Sequence, residues 1–265
     1  MSKLVLYHNN MSSCSQKVRL VLYEKNLTWT EKHLNIREGA SRTYKYLKIN
    51  PNGVVPTLIH DDRIIIESTV IMEYLDDVFP LISLKSSTPF LIAKMRLWNK
   101  KLDEGMHSHL SIISSAIAFR HQFLKNKTEK QINENINTIP DLGRREKIRD
   151  TIFNGLKSKL FPNAIVSFYK LFKEMDEYLS ENEWLGSENY SLADAAYTPY
   201  LIRFEHLNLF LMFQERKNLK NWLKRIKEKK NFEDAITRRL DKSYLQLMSK
   251  KGLEVRKEIN KLVNI

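Results

Sequence analysis

The sequence predicts an α+β chain: a small mixed-sheet domain over residues 1–80, then an all-α helical domain over residues 89–265. Three observations predict it. Short apolar runs alternate with helical patterns in the order β-α-β-α-β-β-α before Pro80. The segment from Pro80 to Pro89, ending Ser86-Ser87-Thr88-Pro89, interrupts that order as a linker. Beyond it the chain reads as helix or loop, and no internal repeat is evident.

Lys3 to His8 is a β-branched and aromatic run, a strand. From Ser12 to Lys25, Val18, Leu20, Val21 and Leu22 belong to a helix that serines cap. Leu27 to Leu34 alternates polar and apolar and reads as a second strand, parallel to the first across the helix. Ala40 to Leu47 is short and helical. Val54 to Ile59, the turn Asp61-Asp62-Arg63 and Ile64 to Ile66 form a hairpin, and Glu67-Ser68 opens a helix through Leu75. Helices are expected on both faces of the sheet.

Phe90 to Phe123 reads as one long helix with room for a bend. Residues 125–138 are polar and weakly patterned, an excursion between helices. Asp141 stands near the start of a helix that Phe161-Pro162 breaks, and Ala164 to Leu179 is helical again. Ser191-Leu192-Ala193-Asp194 is a capping box ahead of an apolar run, a structural motif, with Pro199 marking a bend. Leu219 to Lys229 is a further helix with Trp222 on its inner side.

Composition bounds the function. Hydrophobic residues at 42% suffice for a packed core. No uncharged apolar run reaches the ~18 residues that span a bilayer. The start of the chain reads as a strand and not as a signal peptide, so a cytoplasmic location is expected. The lone cysteine, Cys14, excludes an internal disulfide and a Cys-rich metal site, and the scattered histidines give no metal site. The net charge of +13 is uneven: +1 over residues 1–80 and +10 over the last fifty. These basic residues are not interleaved with stacking aromatics, so they read as a solvated face and not as a nucleic-acid channel.

Val55-Pro56 stands at the entry of the first hairpin strand. Proline has no N–H to donate, so the strand begins with an outward-facing edge. A peptide laid along that edge can pair with the main chain of Val55. Ser68 at a helix start supplies a hydroxyl beside free N–H groups, which together hold a carboxylate. This end of the chain is built to hold a short acidic peptide.

Strand, Val55-Pro56, hairpin, Glu67-Ser68 and helix, preceded by Leu6-Tyr7 and the run Ser12-Ser13-Cys14-Ser15-Gln16-Lys17-Val18-Arg19-Leu20, resemble the glutathione transferase superfamily. The fit to its thioredoxin-like N-terminal domain runs through residues 3–79. Lys48 to Pro80 looks most like bacterial members near the β-etherases, and the loop from Met11 to Ser15 looks more like the zeta class and the reductive tetrachlorohydroquinone dehalogenases. The resemblance implies glutathione as co-substrate, a small hydrophobic electrophile as its partner in the reaction, and a homodimer. It implies that the glutathione backbone pairs with the main chain of Val55, beside a cis Val55–Pro56 peptide bond. It further implies that Glu67 and Ser68 hold the γ-glutamyl end and that Arg42 lies near the glycine carboxylate.

The turn from the first strand into the first helix then carries the chemistry. A hydroxyl at the positive end of a helix dipole favours the thiolate of glutathione, whose thiol has an ordinary pKa near ~8.5. The resemblance to the zeta class puts Ser12 in the thiol-activating place. Cys14 has the offset of the dehalogenase cysteine that attacks a glutathione conjugate. The β-etherase alignment points to Ser15, and the three stay open. The favoured reaction is attack of glutathione thiolate on the electrophile by conjugation, ether cleavage or dehalogenation. The alternatives are a Cys14-dependent glutathione oxidoreductase working through a mixed disulfide and a non-catalytic glutathione-binding protein. Lys17 stands where a dithiol motif needs its second cysteine, so dithiol chemistry is excluded. Trp98, Met106, His107, His109 and Tyr197 are candidates for the electrophile pocket.

Overall fold

The computed structural model describes residues 3–263; Met1 and Ser2, read with the first strand, and the last two residues of the basic tail lie outside them. The N-terminal part consists of β1 (Leu4–His8), α1 (Ser13–Glu24), β2 (Thr30–His33), α2 (Tyr44–Leu47), β3 (Thr57–His60), β4 (Arg63–Ile66) and α3 (Ser68–Val78). Among the described residues it holds a four-stranded sheet in the order β2-β1-β3-β4. The β1–β2 pair is parallel, with Val5 opposite Thr30, and the other two pairs are antiparallel. This is the mixed sheet of a thioredoxin-like domain.

β2 is shorter than the alternation from Leu27 predicts, and all four of its residues are exposed. Leu27 and Trp29 pack against the core instead, and the Leu27 amide donates to the Leu22 carbonyl at 3.0 Å. They close the end of α1 before the chain turns outward into an edge strand. The Val55–Pro56 peptide bond is cis.

A buried ion pair ties this part together. Lys25 Nζ donates to Asp76 Oδ1 at 2.7 Å, and the Leu84 amide donates to the same oxygen at 2.8 Å. The end of α1, helix α3 and the connecting segment therefore meet at one carboxylate.

The long helix expected from Phe90 to Phe123 is a train of three: α4 (Pro89–Lys101), α5 (His107–Ser114) and α6 (Arg120–Leu124). Wider π turns at Leu102–Met106 and Ser115–Phe119 join them, and Gly105 departs from helical backbone. The extra residue in such a turn rotates the next helical segment and so re-aims the side chains of α5. The polar excursion is also more ordered than its pattern suggested. It holds α7 (Glu129–Asn137), opened by a Thr128–Gln131 capping box. Ile132 and Ile136 of α7 pack on Ile139 and Ile152 as a second, small core. Two apolar residues at i and i+4 are enough for a nine-residue helix once a neighbour covers them.

Next come α8 (Leu142–Asn154), α9 (Phe161–Tyr178), α10 (Leu192–His206), α11 (Lys217–Glu228), α12 (Phe232–Ala235), α13 (Lys242–Glu254) and α14 (Arg256–Val263). The helix that opens at Asp141 ends at Asn154, where Gly155 takes φ +55°, and Phe161-Pro162 opens α9 and does not break α8, because proline is tolerated in a first turn. The capping box of α10 is present: the Ala193 amide donates to Ser191 Oγ at 3.1 Å, and the Ser191 amide to Asp194 Oδ2 at 2.8 Å. Trp222 is fully buried, and its indole N–H donates to Asp194 Oδ1 at 2.7 Å. One apolar core runs from Leu6 and Val18 through Phe168 and Tyr197 to Trp222 and Ile259. Among the described residues no helix is long and apolar enough to cross a membrane.

Candidate active site

The loop between β1 and α1 is fixed from several sides. The Asn9 side chain bridges the Met11 amide at 3.0 Å and the Leu34 carbonyl at 2.9 Å. Buried Arg19 donates to the carbonyls of Asn9 and Asn10. Arg203, reaching from α10, donates to the Met11 carbonyl and to Ser114 Oγ. The three loop candidates then separate by role. Ser12 caps α1, its Oγ accepting from the Ser15 amide at 3.2 Å, and its hydroxyl proton stays available to a ligand. Ser15 is fully buried, and its Oγ accepts from the Asn9 amide at 3.3 Å. Cys14 points away from the sheet, toward the helical part.

There it meets His107, the first residue after the π turn. Cys14 Sγ lies 3.6 Å from Nδ1 and 3.7 Å from Nε2 of that ring. The Tyr200 hydroxyl lies 3.1 Å from Nδ1. Burial by itself pushes the Cys14 thiol up. The charge of His107, then that of Lys17, and hydrogen bonds from His107 and Ser68 more than reverse this and bring it down to about 6. The thiolate in turn raises His107, over the opposing effect of the protein atoms that displace water from its ring. Burial holds Tyr200 well above the usual phenol range, so it stays a neutral phenol. A partly exposed thiolate–imidazolium pair is the arrangement of a nucleophilic cysteine.

The residues read as a peptide cradle lie in the turn before β3 and at the start of α3. The turn before Val55 is held by Tyr46 Oη and Asn50 Nδ2, which both donate to the Val54 carbonyl, at 2.7 and 3.1 Å. Gly53 takes φ +61° there, and a side chain on it would press on Leu47 and Pro140. The buried Val55 takes part in none of the backbone hydrogen bonds of this turn, which leaves its N–H and C=O for a ligand. Glu67 has φ 68° and ψ 116°, a backbone position that costs of order 1–3 kcal/mol for a non-glycine residue. It caps α3 without a side-chain bond, so the first amides of the helix are uncovered beside Ser68. These groups fit a bound peptide with a carboxylate end.

The glutathione S-transferase N-terminal domain model matches residues 11–78, and the C-terminal domain model of that family matches residues 158–225. Protein LigF of Sphingobium sp. (strain NBRC 103272 / SYK-6) is 31% identical over 193 residues, 72% of this chain and 75% of that protein. The chain belongs to the glutathione S-transferase family. The crystal structure of the beta-etherase LigF superposes with a TM-score of 0.80 at 29% identity, covering 88% of this chain and 98% of that one. The tetrachloro-p-hydroquinone reductive dehalogenase of Sphingobium chlorophenolicum is 26% identical over 89% of this chain and 96% of its own length. Glutathione S-transferase TCHQD of Arabidopsis thaliana is 26% identical over 88% and 89%.

Within this glutathione transferase the predicted residues are not all at one place. Cys14 and Ser68 come within hydrogen-bonding reach of each other, Ser12 caps the helix that carries Cys14, Glu67 precedes Ser68, and Val55 and Pro56 lead into β3. The Arg42 guanidinium donates to Thr138 Oγ1 at 2.6 Å and to Asn135 Oδ1 at 2.9 Å, at the end of α7. The polar sequence of α7 hides its helix, so this partner could not be foreseen. Arg144 of α8 steadies the turn before Val55, donating to the Asn52 carbonyl at 2.9 Å. Of the pocket candidates, His107 joins the site. Trp98 and Tyr197 are core, the Tyr197 hydroxyl donating to the Trp98 carbonyl at 2.9 Å. Tyr200 and the positive role of Lys17 were missed. The spacing Cys14-x-x-Lys17 on one helix was the available signal for the second.

Proposed function

We propose that this glutathione transferase works through Cys14, which takes the glutathionyl group from a glutathione conjugate as a mixed disulfide. The observation that carries the reading is the Cys14–His107 pair, with the thiol brought down to about 6. At that value roughly nine-tenths of it is ionised at pH 7. Glutathione lies along Val55 past Pro56, its γ-glutamyl carboxylate on Ser68 and the amides of α3, its amine on Glu67. The Cys14 thiolate attacks the sulfur of the conjugate GS–R. An S–S bond forms, the S–C bond breaks, and the electron pair leaves on R, which takes a proton from the His107 imidazolium. A second glutathione thiolate attacks the glutathionyl sulfur, releasing glutathione disulfide and the Cys14 thiolate. The sum is GS–R + GSH → R–H + GSSG. The leaving carbon must hold a pair of electrons, so R is an aromatic ring or a carbon beside a carbonyl, a small hydrophobic group.

A second reading keeps the order favoured by the resemblance. Ser12 donates its free hydroxyl proton to the glutathione sulfur, which attacks the electrophile directly. The free proton of the Ser12 cap supports it, as does the likeness to LigF, a beta-etherase. Both readings include a homodimer in the cytoplasm, and the exposed Ile64, Val70, Phe90 and Leu97 on β4, α3 and α4 suit an apolar contact between copies.

Intact-mass spectrometry after incubation with glutathione disulfide separates the two. The first reading expects one glutathione on the wild type and none on Cys14→Ser, with loss of turnover in that variant. Turnover of a glutathione conjugate by Cys14→Ser at the wild-type rate would refute it, and a loss in Ser12→Ala alone would favour the second.

A further inference from the structure

A charged group beside the thiol has no partner of its own. Lys17 follows Cys14 by three residues in α1, so the two side chains share a helix face. It is completely buried at 0% exposure, and its Nζ makes no hydrogen bond among the described residues. The ammonium stands 5.7 Å from the centre of the Tyr200 ring. The other groups around the pair are His107 on α5, Asp103 in the π turn and Ser68 on α3. Asp103 already accepts from Thr69 Oγ1 at 3.1 Å. An ammonium withdrawn from water needs an anion nearby to hold its charge. Cys14 is the anion that its own helix presents.

We propose that Lys17 is the standing counter-ion of the Cys14 thiolate and makes Cys14 a good leaving group, so that the mixed disulfide with glutathione is short-lived. The inference rests on the reading that Cys14 carries a glutathionyl group. When the mixed disulfide forms, the negative charge at Sγ disappears. His107 relieves its part by releasing a proton, whereas Lys17 has no hydrogen-bond partner to turn to. Attack by a glutathione thiolate on the glutathionyl sulfur breaks the S–S bond and returns the electron pair to Cys14 Sγ. That step restores the pair. Stabilising the reduced thiolate in this way makes a disulfide more oxidising and speeds departure of the stabilised sulfur. Lys17 acts through Cys14 and is a positioning residue.

Two readouts test it on Lys17→Met and Lys17→Arg in the full chain. The first is the pH dependence of Cys14 alkylation by iodoacetamide. The second is the fraction of mixed disulfide, by intact mass, across glutathione redox buffers. In Lys17→Met the alkylation profile moves up by about one unit or more, and the adduct persists to roughly tenfold more reducing buffers. Lys17→Arg keeps the charge and stays near wild type in both. Unchanged profiles in a Lys17→Met protein with native circular dichroism overturn the inference. If Lys17→Met does not fold, a folded Lys17→Gln decides by the same two readouts. A wild type that takes up no glutathione, with a shifted alkylation profile in Lys17→Met, sinks the functional reading and the leaving-group role but upholds the counter-ion.

Discussion

The Tyr200 hydroxyl lies 3.1 Å from Nδ1 of His107, although 93 residues separate them in sequence. The relation sets the imidazole for the thiol. With a neutral ring, the phenol donates to Nδ1 and the ring proton sits on Nε2. In the imidazolium, Nδ1–H donates to the phenol oxygen instead. Either way the ring stays against Cys14, 3.6 Å from Sγ.

His107→Ala removes the largest group that lowers the Cys14 thiol. The thiol should climb back toward its ordinary range, and alkylation of Cys14 at pH 7 should slow about tenfold or more. Tyr200→Phe keeps the ring and loses only its anchor, so a smaller change is expected. An unchanged alkylation rate in His107→Ala would show that the imidazole does not hold the thiolate.

The pH dependence comes from the signs of the shifts. Cys14 falls from 9.0 to about 6, so its thiolate chemistry is lost as pH drops through about 6. Its stability contribution is complete above 9.0 and fades as pH falls to about 6. His107 is raised, so its contribution is complete below its ordinary 6.5 and is lost as pH rises through the raised value. The rate of Cys14 glutathionylation against pH should show its acid limb near 6. A limb near 9 would contradict the pairing.

Ser12→Ala removes the cap of α1. A loss of about 1 kcal/mol of stability is expected, read as a lower denaturation midpoint. If Cys14 carries the chemistry, formation of the mixed disulfide should be nearly unaffected. Ser68→Ala should weaken glutathione binding by about 1.5–3 kcal/mol, the scale of a hydrogen bond to a charged group, measured by calorimetry. Unchanged affinity would move the γ-glutamyl site elsewhere.

Asp194 collects the amides of Leu185 and Ser191, the Ser191 hydroxyl and the Trp222 indole N–H. Asp194→Ala strands these buried donors and should cost at least about 3 kcal/mol in denaturant unfolding. Trp222→Phe removes one donor together with part of its packing and should cost about 1–2 kcal/mol. Equal effects of the two would mean that packing alone holds this corner.

Gly252 lets α13 touch the end of α10: a Cβ there would fall 1.5 Å from the Leu207 carbonyl oxygen. Backbone cannot yield as a flexible side chain does. Gly252→Ala should therefore loosen α13 and α14 from the core and lower the melting temperature by several degrees, roughly the effect of 1–2 kcal/mol. A variant as stable as wild type would mean that α13 shifts without penalty.

The sequence by itself determined the parts whose cause is local. The strand-helix order, the proline in the first turn of α9 and the capping box at Ser191 depend on residues within a few positions of each other. Val55-Pro56 and Glu67-Ser68, read with the family resemblance, marked the cradle for the same reason. The loop residues Ser12, Cys14 and Ser15 were legible as candidates, but their roles were not. Only the tertiary structure decided their surroundings, because the helical part supplies them. The π turn before His107 re-aims α5, and α10 sets Tyr200 behind the ring. The partners of Arg42 come from α7, a helix that its own polar sequence hides and a neighbouring cluster of isoleucines stabilises. A thiol's ionisation is fixed by charges within a few ångströms, and chain distance does not record them.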